Sequence, residues 1–181
     1  LTNGTAYTFT VHATNAVGTG AASSATSSVT PATVPSAPTG ASAASGNGQA
    51  IVTFTAPASN GGAAITGYTA TSSPGGITAN CATSPCTVTG LTNGTAYTFT
   101  VHATNAVGDS VESGASAPVT PATVPDAPTG VVALRSDRSA LVGWTAPVDD
   151  GGAPVTGYLI TSSPGGVSTS CATSPCTVAG L

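Results

Sequence analysis

Apolar and polar residues alternate with a period of two in several short runs of this chain. In the longest, Tyr97, Phe99, Val101 and Ala103 take turns with Thr98, Thr100, His102 and Thr104. Successive side chains of a strand point to opposite faces, so the run predicts a β-strand with one face buried. Ala50, Val52 and Phe54 alternate with Ile51, Thr53 and Thr55 in the same way, and Tyr68 and Ala70 mark one face of a run over 64–72. Turn-forming clusters separate the runs: Ser45-Gly46-Asn47-Gly48, Asn60-Gly61-Gly62, Ser73-Pro74-Gly75-Gly76 and Thr92-Asn93-Gly94-Thr95, with Pro57 ending one strand. Further short strands are expected near 39–44, from Ile77, over 86–89 and near 115–120. Seven short strands with Gly and Pro turns predict an all-β, antiparallel sandwich.

Residues 1–18 are identical to residues 91–108, a displacement of 90 residues. A repeat of that length is one independently folding unit rather than a solenoid step. The chain therefore divides into residues 1–34, the closing strands of a first repeat (5–15 and 25–30), residues 35–124, a complete repeat, and residues 125–181, the first five strands of a third. Pro31, Pro35 and Pro38, echoed by Pro121, Pro125 and Pro128, make the connections short and stiff. A two-stranded ribbon and a half-sandwich are not expected to be stable unaided in water. The chain reads as a window on a longer array, with adjoining repeats or a neighbouring copy completing each sandwich.

Composition narrows the role. One Trp, three Phe and four Tyr leave Val, Ile, Leu and Ala to build each core. Charge is almost absent: there is no Lys, Arg135 and Arg138 are the only Arg, and Asp109 is the first charged side chain. Nucleic-acid binding and attachment to anionic lipid both need clustered cations, so neither is expected. No apolar run is long enough to span a membrane as a helix. A Thr- and Ser-rich surface hydrates without mutual repulsion, which makes side-by-side packing electrostatically cheap.

The cysteines follow the repeat, Cys81 and Cys86 returning as Cys171 and Cys176, each pair enclosing Ala-Thr-Ser-Pro. Paired spacing in a small repeated unit reads as one local disulfide per repeat and an oxidising, extracellular compartment. Closing so short a loop stabilises by about 2 kcal/mol in the chain-entropy description. A zinc site would need ligands converging from elements a whole repeat apart, without a suitably placed His.

Ala37-Pro38-Thr39-Gly40, an aromatic on the second strand (Phe54, then Trp144), Pro57, Ile65-Thr66-Gly67-Tyr68, and Gly90-Leu91 followed by Tyr97, Phe99, Val101, Ala103, Asn105 and Gly108 together resemble fibronectin type III domains. The resemblance extends over the whole chain and is greatest to Thr-rich, lysine-poor tandem versions in secreted bacterial proteins. It implies a seven-stranded, immunoglobulin-like sandwich in each repeat. It also implies that Tyr97, and Tyr7 in the first copy, form a tyrosine corner whose hydroxyl bonds back to backbone near Asn93. The Cys loop is an addition to the family pattern.

Few residues suggest chemistry. His12 and His102 face outward by alternation and lack a neighbouring ligand set, so they read as surface positions open to lateral, pH-sensitive contacts. Ile51 and Leu141 share an outward parity and are candidate lateral contacts on an uncharged surface. Asp149-Asp150-Gly151-Gly152 resembles part of a calcium loop, yet its counterpart is Ser59-Asn60-Gly61-Gly62, which favours a turn. Asn3-Gly4-Thr5 and Asn93-Gly94-Thr95 match the N-glycosylation pattern, although the turn explains them without sugar. No nucleophile motif or carboxylate pair signals catalysis, and no metal or cofactor is expected.

These readings converge on a structural extracellular protein whose repeats build a stalk, fibre, filament or sheath at a cell surface. Its partners would be copies of itself or adjoining repeats, with polysaccharide or a cell surface as further candidates. A spacer in a secreted carbohydrate-active enzyme and the stalk of an adhesin are the alternatives. Non-reducing peptide mapping should find Cys81 with Cys86, and Cys171 with Cys176, each in one linked peptide. Free thiols would undo the extracellular argument.

Overall fold

The computed structural model describes all 181 residues and is all-β, with no helix. Contacts divide it into two compact units. The first comprises Leu1–Ala44, Ile51–Thr89 and Tyr97–Val119; the second comprises Ser45–Ala50, Gly90–Ala96 and Thr120–Leu181. The connection between the first and second repeats lies wholly in the first unit, and that between the second and third repeats wholly in the second.

The complete repeat contains β1 (Thr39–Gly46), β2 (Gln49–Thr55), β3 (Ile65–Ser73), β4 (Thr78–Cys81), β5 (Cys86–Thr89) and β6 (Thr98–Asn105). They form two three-stranded sheets, ordered β1-β2-β5 and β4-β3-β6. The inward parity expected from the alternation is observed: Ala50, Val52, Phe54, Tyr68, Ala70, Phe99, Val101 and Ala103 are all buried. Phe54 and Tyr68 meet across the sandwich with ring centroids 4.8 Å apart. On β6, Val101 opposes Ala70 and Phe99 opposes Ser72 of β3. Burial of these apolar faces is the main term holding the sandwich together, at roughly 25 cal/mol per Å² removed from water.

The expected seventh strand takes another form. Residues 109–119 run beside β6 without becoming a regular strand, because three of their residues pass for every two of β6. Ser110, Ser113 and Ser116 donate their amides to the carbonyls of Ala103, Val101 and Phe99 at 2.8, 2.8 and 2.9 Å. A regular ladder would return the bond from backbone carbonyls. Here the amides of Ala103, Val101 and Phe99 instead donate to the hydroxyl oxygens of the same three serines, each at 3.0 Å. Every hydroxyl in turn donates a hydrogen bond to the carbonyl of the next residue, Val111, Gly114 or Ala117. The extra residue in each step acts as a bulge repeated along the whole edge. Only at Tyr97 and Val119 do two backbones exchange both bonds.

The first repeat uses the same device with Ser23 and Thr26, whose hydroxyls accept from Val11 and Phe9 at 3.1 Å. The two strands expected over 5–15 and 25–30 are therefore replaced by a ribbon of isolated bridges, Tyr7 with Val29 and Thr14 with Thr19. With no opposing sheet packed on it, the ribbon leaves Phe9 42% and Val11 70% exposed, against 0% for Phe99 and Val101.

The third segment contains β7 (Thr129–Ser136), β8 (Ser139–Thr145), β9 (Tyr158–Thr161), β10 (Ser168–Cys171) and β11 (Cys176–Ala179). Its sheets are β11-β8-β7 and β10-β9. β9 is shorter than its counterpart β3 because it has no partner equivalent to β6 to extend the ladder.

Ser113→Ala should cost about 1–3 kcal/mol in urea unfolding, because the buried Val101 amide loses its acceptor. Val111→Ala, between the hydroxyl positions and exposed, should stay within about 0.5 kcal/mol. Equal effects would show that the hydroxyls do not carry the pairing.

Candidate functional site

The most built polar site on the chain lies where one repeat meets the next, and it occurs twice. In the first unit the turn Ser59-Asn60-Gly61-Gly62 is shaped by its own side chains: Gly61 donates to Ser59 Oγ (3.2 Å) and Gly62 to Asn60 Oδ1 (2.9 Å). The linker from the preceding repeat lies along it, with Thr33 donating to the Gly61 carbonyl (2.8 Å) and Ser36 to the Ser59 carbonyl (2.9 Å). Gly62 also abuts the corner turn of that preceding repeat. A methyl group added there would stand 2.7 Å from the Asn3 carbonyl carbon, inside any tolerable contact.

The second unit reproduces the arrangement 90 residues later. Gly151 donates to Asp149 Oδ1 (2.8 Å) and Gly152 to Asp150 Oδ1 (2.9 Å). Thr123 donates to the Gly151 carbonyl (2.8 Å), Asp126 to the Asp149 carbonyl (2.9 Å), and a methyl on Gly152 would again stand 2.7 Å from a carbonyl carbon, that of Asn93. The two aspartates thus spend carboxylate oxygens on their own turn, which accounts for their spacing without a cation. Asn93 holds the other side of its turn, accepting from Gly48 (2.9 Å) and donating to Asn47 Oδ1 (2.8 Å).

Asn105 ties the first junction to the sandwich. Its side-chain Nδ2 donates to the carbonyls of Thr33 and Asn60, both at 2.8 Å, and its Oδ1 accepts from Val107 (2.8 Å) and Gly108 (3.2 Å). All the hydrogen-bonding capacity of a buried amide is satisfied, joining linker, turn and strand end. In the sequence Asn105 is only one position of a family-like pattern. Its role depends on contacts up to 72 residues away, which no local spacing encodes.

Cys81 is joined to Cys86 and Cys171 to Cys176, with Cα atoms 5.6 and 6.3 Å apart. The Tyr7 hydroxyl accepts from the Thr2 amide at 2.7 Å, five residues upstream. That amide holds the Tyr7 hydroxyl below the ordinary tyrosine pKa. Tyr97, its counterpart in the complete repeat, is buried. Ile51 and Leu141 are outward and exposed, as their parity requires. His102 is not the isolated residue that alternation suggests: Nδ1 lies 2.9 Å from Glu112 Oε1, because the three-to-two pairing draws Glu112 alongside. At a partly exposed site such a pair contributes little stability. His12 Nδ1 lies 3.1 Å from the Gly20 carbonyl.

An apolar cavity of about 410 Å³ opens in the third repeat beside Val131, Val142, Trp144, Tyr158 and Leu159. Trp144 and Tyr158, 4.9 Å apart, are the counterparts of Phe54 and Tyr68. In the complete repeat Phe99 and Val101 of β6 cover this place, so the cavity is an unfilled half of a core.

Two sandwiched sheets and a buried aromatic pair characterise the middle repeat. Residues 36–120 match the Fibronectin type III domain family. The M-protein of striated muscle from Gallus gallus is 43% identical over 77 residues, which are 40% of this chain and 5% of that protein. A crystal structure of several titin domains superposes with a TM-score of 0.51 at 28% identity, over 64% of this chain and 40% of that one. The chain spans well under two thirds of either relative. M-protein comes from an animal, so the bacterial origin implied by the resemblance to tandem versions in secreted bacterial proteins gains no support from it. The stretch that matches this family contributes to both junctions, with Asn60, Gly61 and Gly62 in the first unit and Asn93 and Gly94 in the second.

Asn105→Asp should destabilise the complete repeat by at least about 2 kcal/mol at neutral pH, since a carboxylate oxygen would face two carbonyl oxygens in a buried site. Urea unfolding measures it. A wild-type midpoint would mean that the side chain does not hold the junction.

Proposed function

We propose that the chain is a structural segment of an extracellular protein, in which tandem fibronectin type III repeats, each closed by a local disulfide, carry tension along a stalk or filament. The observation that carries this reading is the junction built twice with the same bonds. A flexible tether between independent modules has no use for it. The family of residues 36–120 supports the reading, since it also occurs in the muscle proteins named above. The two disulfides support an oxidising compartment. The surface, nearly free of charge and carrying Ile51 and Leu141 outward, suits lateral contact between copies. Polysaccharide or a cell surface are the further partners that an adhesin stalk would meet.

The ribbon of residues 7–29 and the third repeat each present an uncovered apolar face, and on this reading further repeats cover them. Whether those repeats belong to the same chain or to another copy is read by sedimentation: completion by copies gives a concentration-dependent head-to-tail series. Stretching the chain from its ends should unfold the complete repeat in one discrete event, adding about 30 nm of contour at roughly 3.5 Å per residue. Gradual extension without that event would count against a tensile role, and tight binding of a polysaccharide by the chain would favour the adhesin stalk.

A further inference from the structure

The contact between repeats is made of backbone against backbone. On one side are the two glycines of an Asx-Gly-Gly turn, on the other the Asn-Gly corner turn and the Thr-Val linker of the repeat before. Gly61 and Gly62 have φ of 73° and 89°, Gly151 and Gly152 of 76° and 86°, all in the left-handed region. Left-handed φ alone would favour glycine. Here the missing Cβ atoms also let the backbones approach: a methyl on Gly61 would stand 2.8 Å from the Thr33 carbonyl carbon, and one on Gly151 2.8 Å from that of Thr123. In the reverse direction a methyl on Gly4 or Gly94 would stand 3.1 or 3.2 Å from the Cα of the facing glycine.

We propose that each repeat carries two complementary docking surfaces, an acceptor formed by the Asx-Gly-Gly turn and a donor formed by the Asn-Gly corner turn with its linker. The partner of each acceptor is the donor of another repeat of the same kind. The geometry of neighbouring repeats is then set by this contact rather than by the stiffness of the prolines. The inference deepens the structural reading and rests on it only for its purpose; the contact stands or falls by its own test.

Several features argue for a built interface over incidental proximity. The same four kinds of contact recur in both units with matching distances, although the side chains of the acceptor turn change from Ser59 and Asn60 to Asp149 and Asp150. In both versions the side chain at the second position accepts from the second glycine, so the chemistry needed is an oxygen acceptor rather than a particular residue. The linker carbonyl is also used: that of Thr33 accepts from the buried Asn105 amide. A linker that merely passed by would leave it to water.

The test compares two glycines of equal backbone strain. Gly62 and Gly75 both have φ of 89°, yet a methyl on Gly75 would meet only the Ile77 side chain, at an ordinary 3.8 Å. Amide hydrogen exchange is measured on the full chain carrying Gly62→Ala or Gly75→Ala. Gly62→Ala should speed exchange of the Thr33 and Ser36 amides by about tenfold or more while the Val101 and Ala103 amides keep their protection, which is local opening of the junction. Gly75→Ala should leave Thr33 and Ser36 at the wild-type rate. Equal exchange at Thr33 in the two variants, a uniform loss of protection that includes Val101, or a Thr33 amide already unprotected in the wild type would each overturn the proposal.

Discussion

Every backbone amide of a buried strand must find an acceptor, and β6 is where that requirement is hardest to meet. One edge of β6 pairs regularly with β3. The other faces a segment that advances three residues for every two, where carbonyls cannot stay in register. Serine hydroxyls supply the missing acceptors. The burial of Phe99, Val101 and Ala103, the packing of Phe54 on Tyr68 and the position of Asn105 at the strand end all rest on β6 being paired on both sides. Leaving such amides unpaired would cost more than most single apolar contacts return.

The hydroxyl pairing also ends the sheet. A regular edge strand displays alternating free amides and carbonyls that invite another strand. In residues 109–119 the carbonyls of Val111, Gly114 and Ala117 are occupied by serine hydroxyls and the backbone is irregular. For tandem repeats of related sequence, which are prone to pairing with the wrong neighbour, an edge of this kind protects each sandwich from the next.

Alternation by itself makes most of the sandwich legible, and the buried parity of β2, β3 and β6 follows it residue by residue. The pairing of Cys81 with Cys86 is legible for the same local reason, a short spacing that recurs. What stays hidden has another period or another range. Ser110, Ser113 and Ser116 recur every third residue, a spacing unlike that of a strand, and it places Glu112 beside His102 against expectation. Asn105 and the paired glycines act through contacts tens of residues away. The shortening of β9 reflects a missing neighbour rather than anything in its own residues.

The contact between repeats scarcely consults side chains. Because glycine backbone meets peptide backbone, Ser59 and Asn60 can become Asp149 and Asp150 with no adjustment across the junction. A gene encoding such repeats can gain or lose 90-residue copies by recombination, and each new neighbour rejoins on the same surface without a compensating mutation. Length is then free to vary while the joint does not, so an array of this kind can be lengthened by duplication alone.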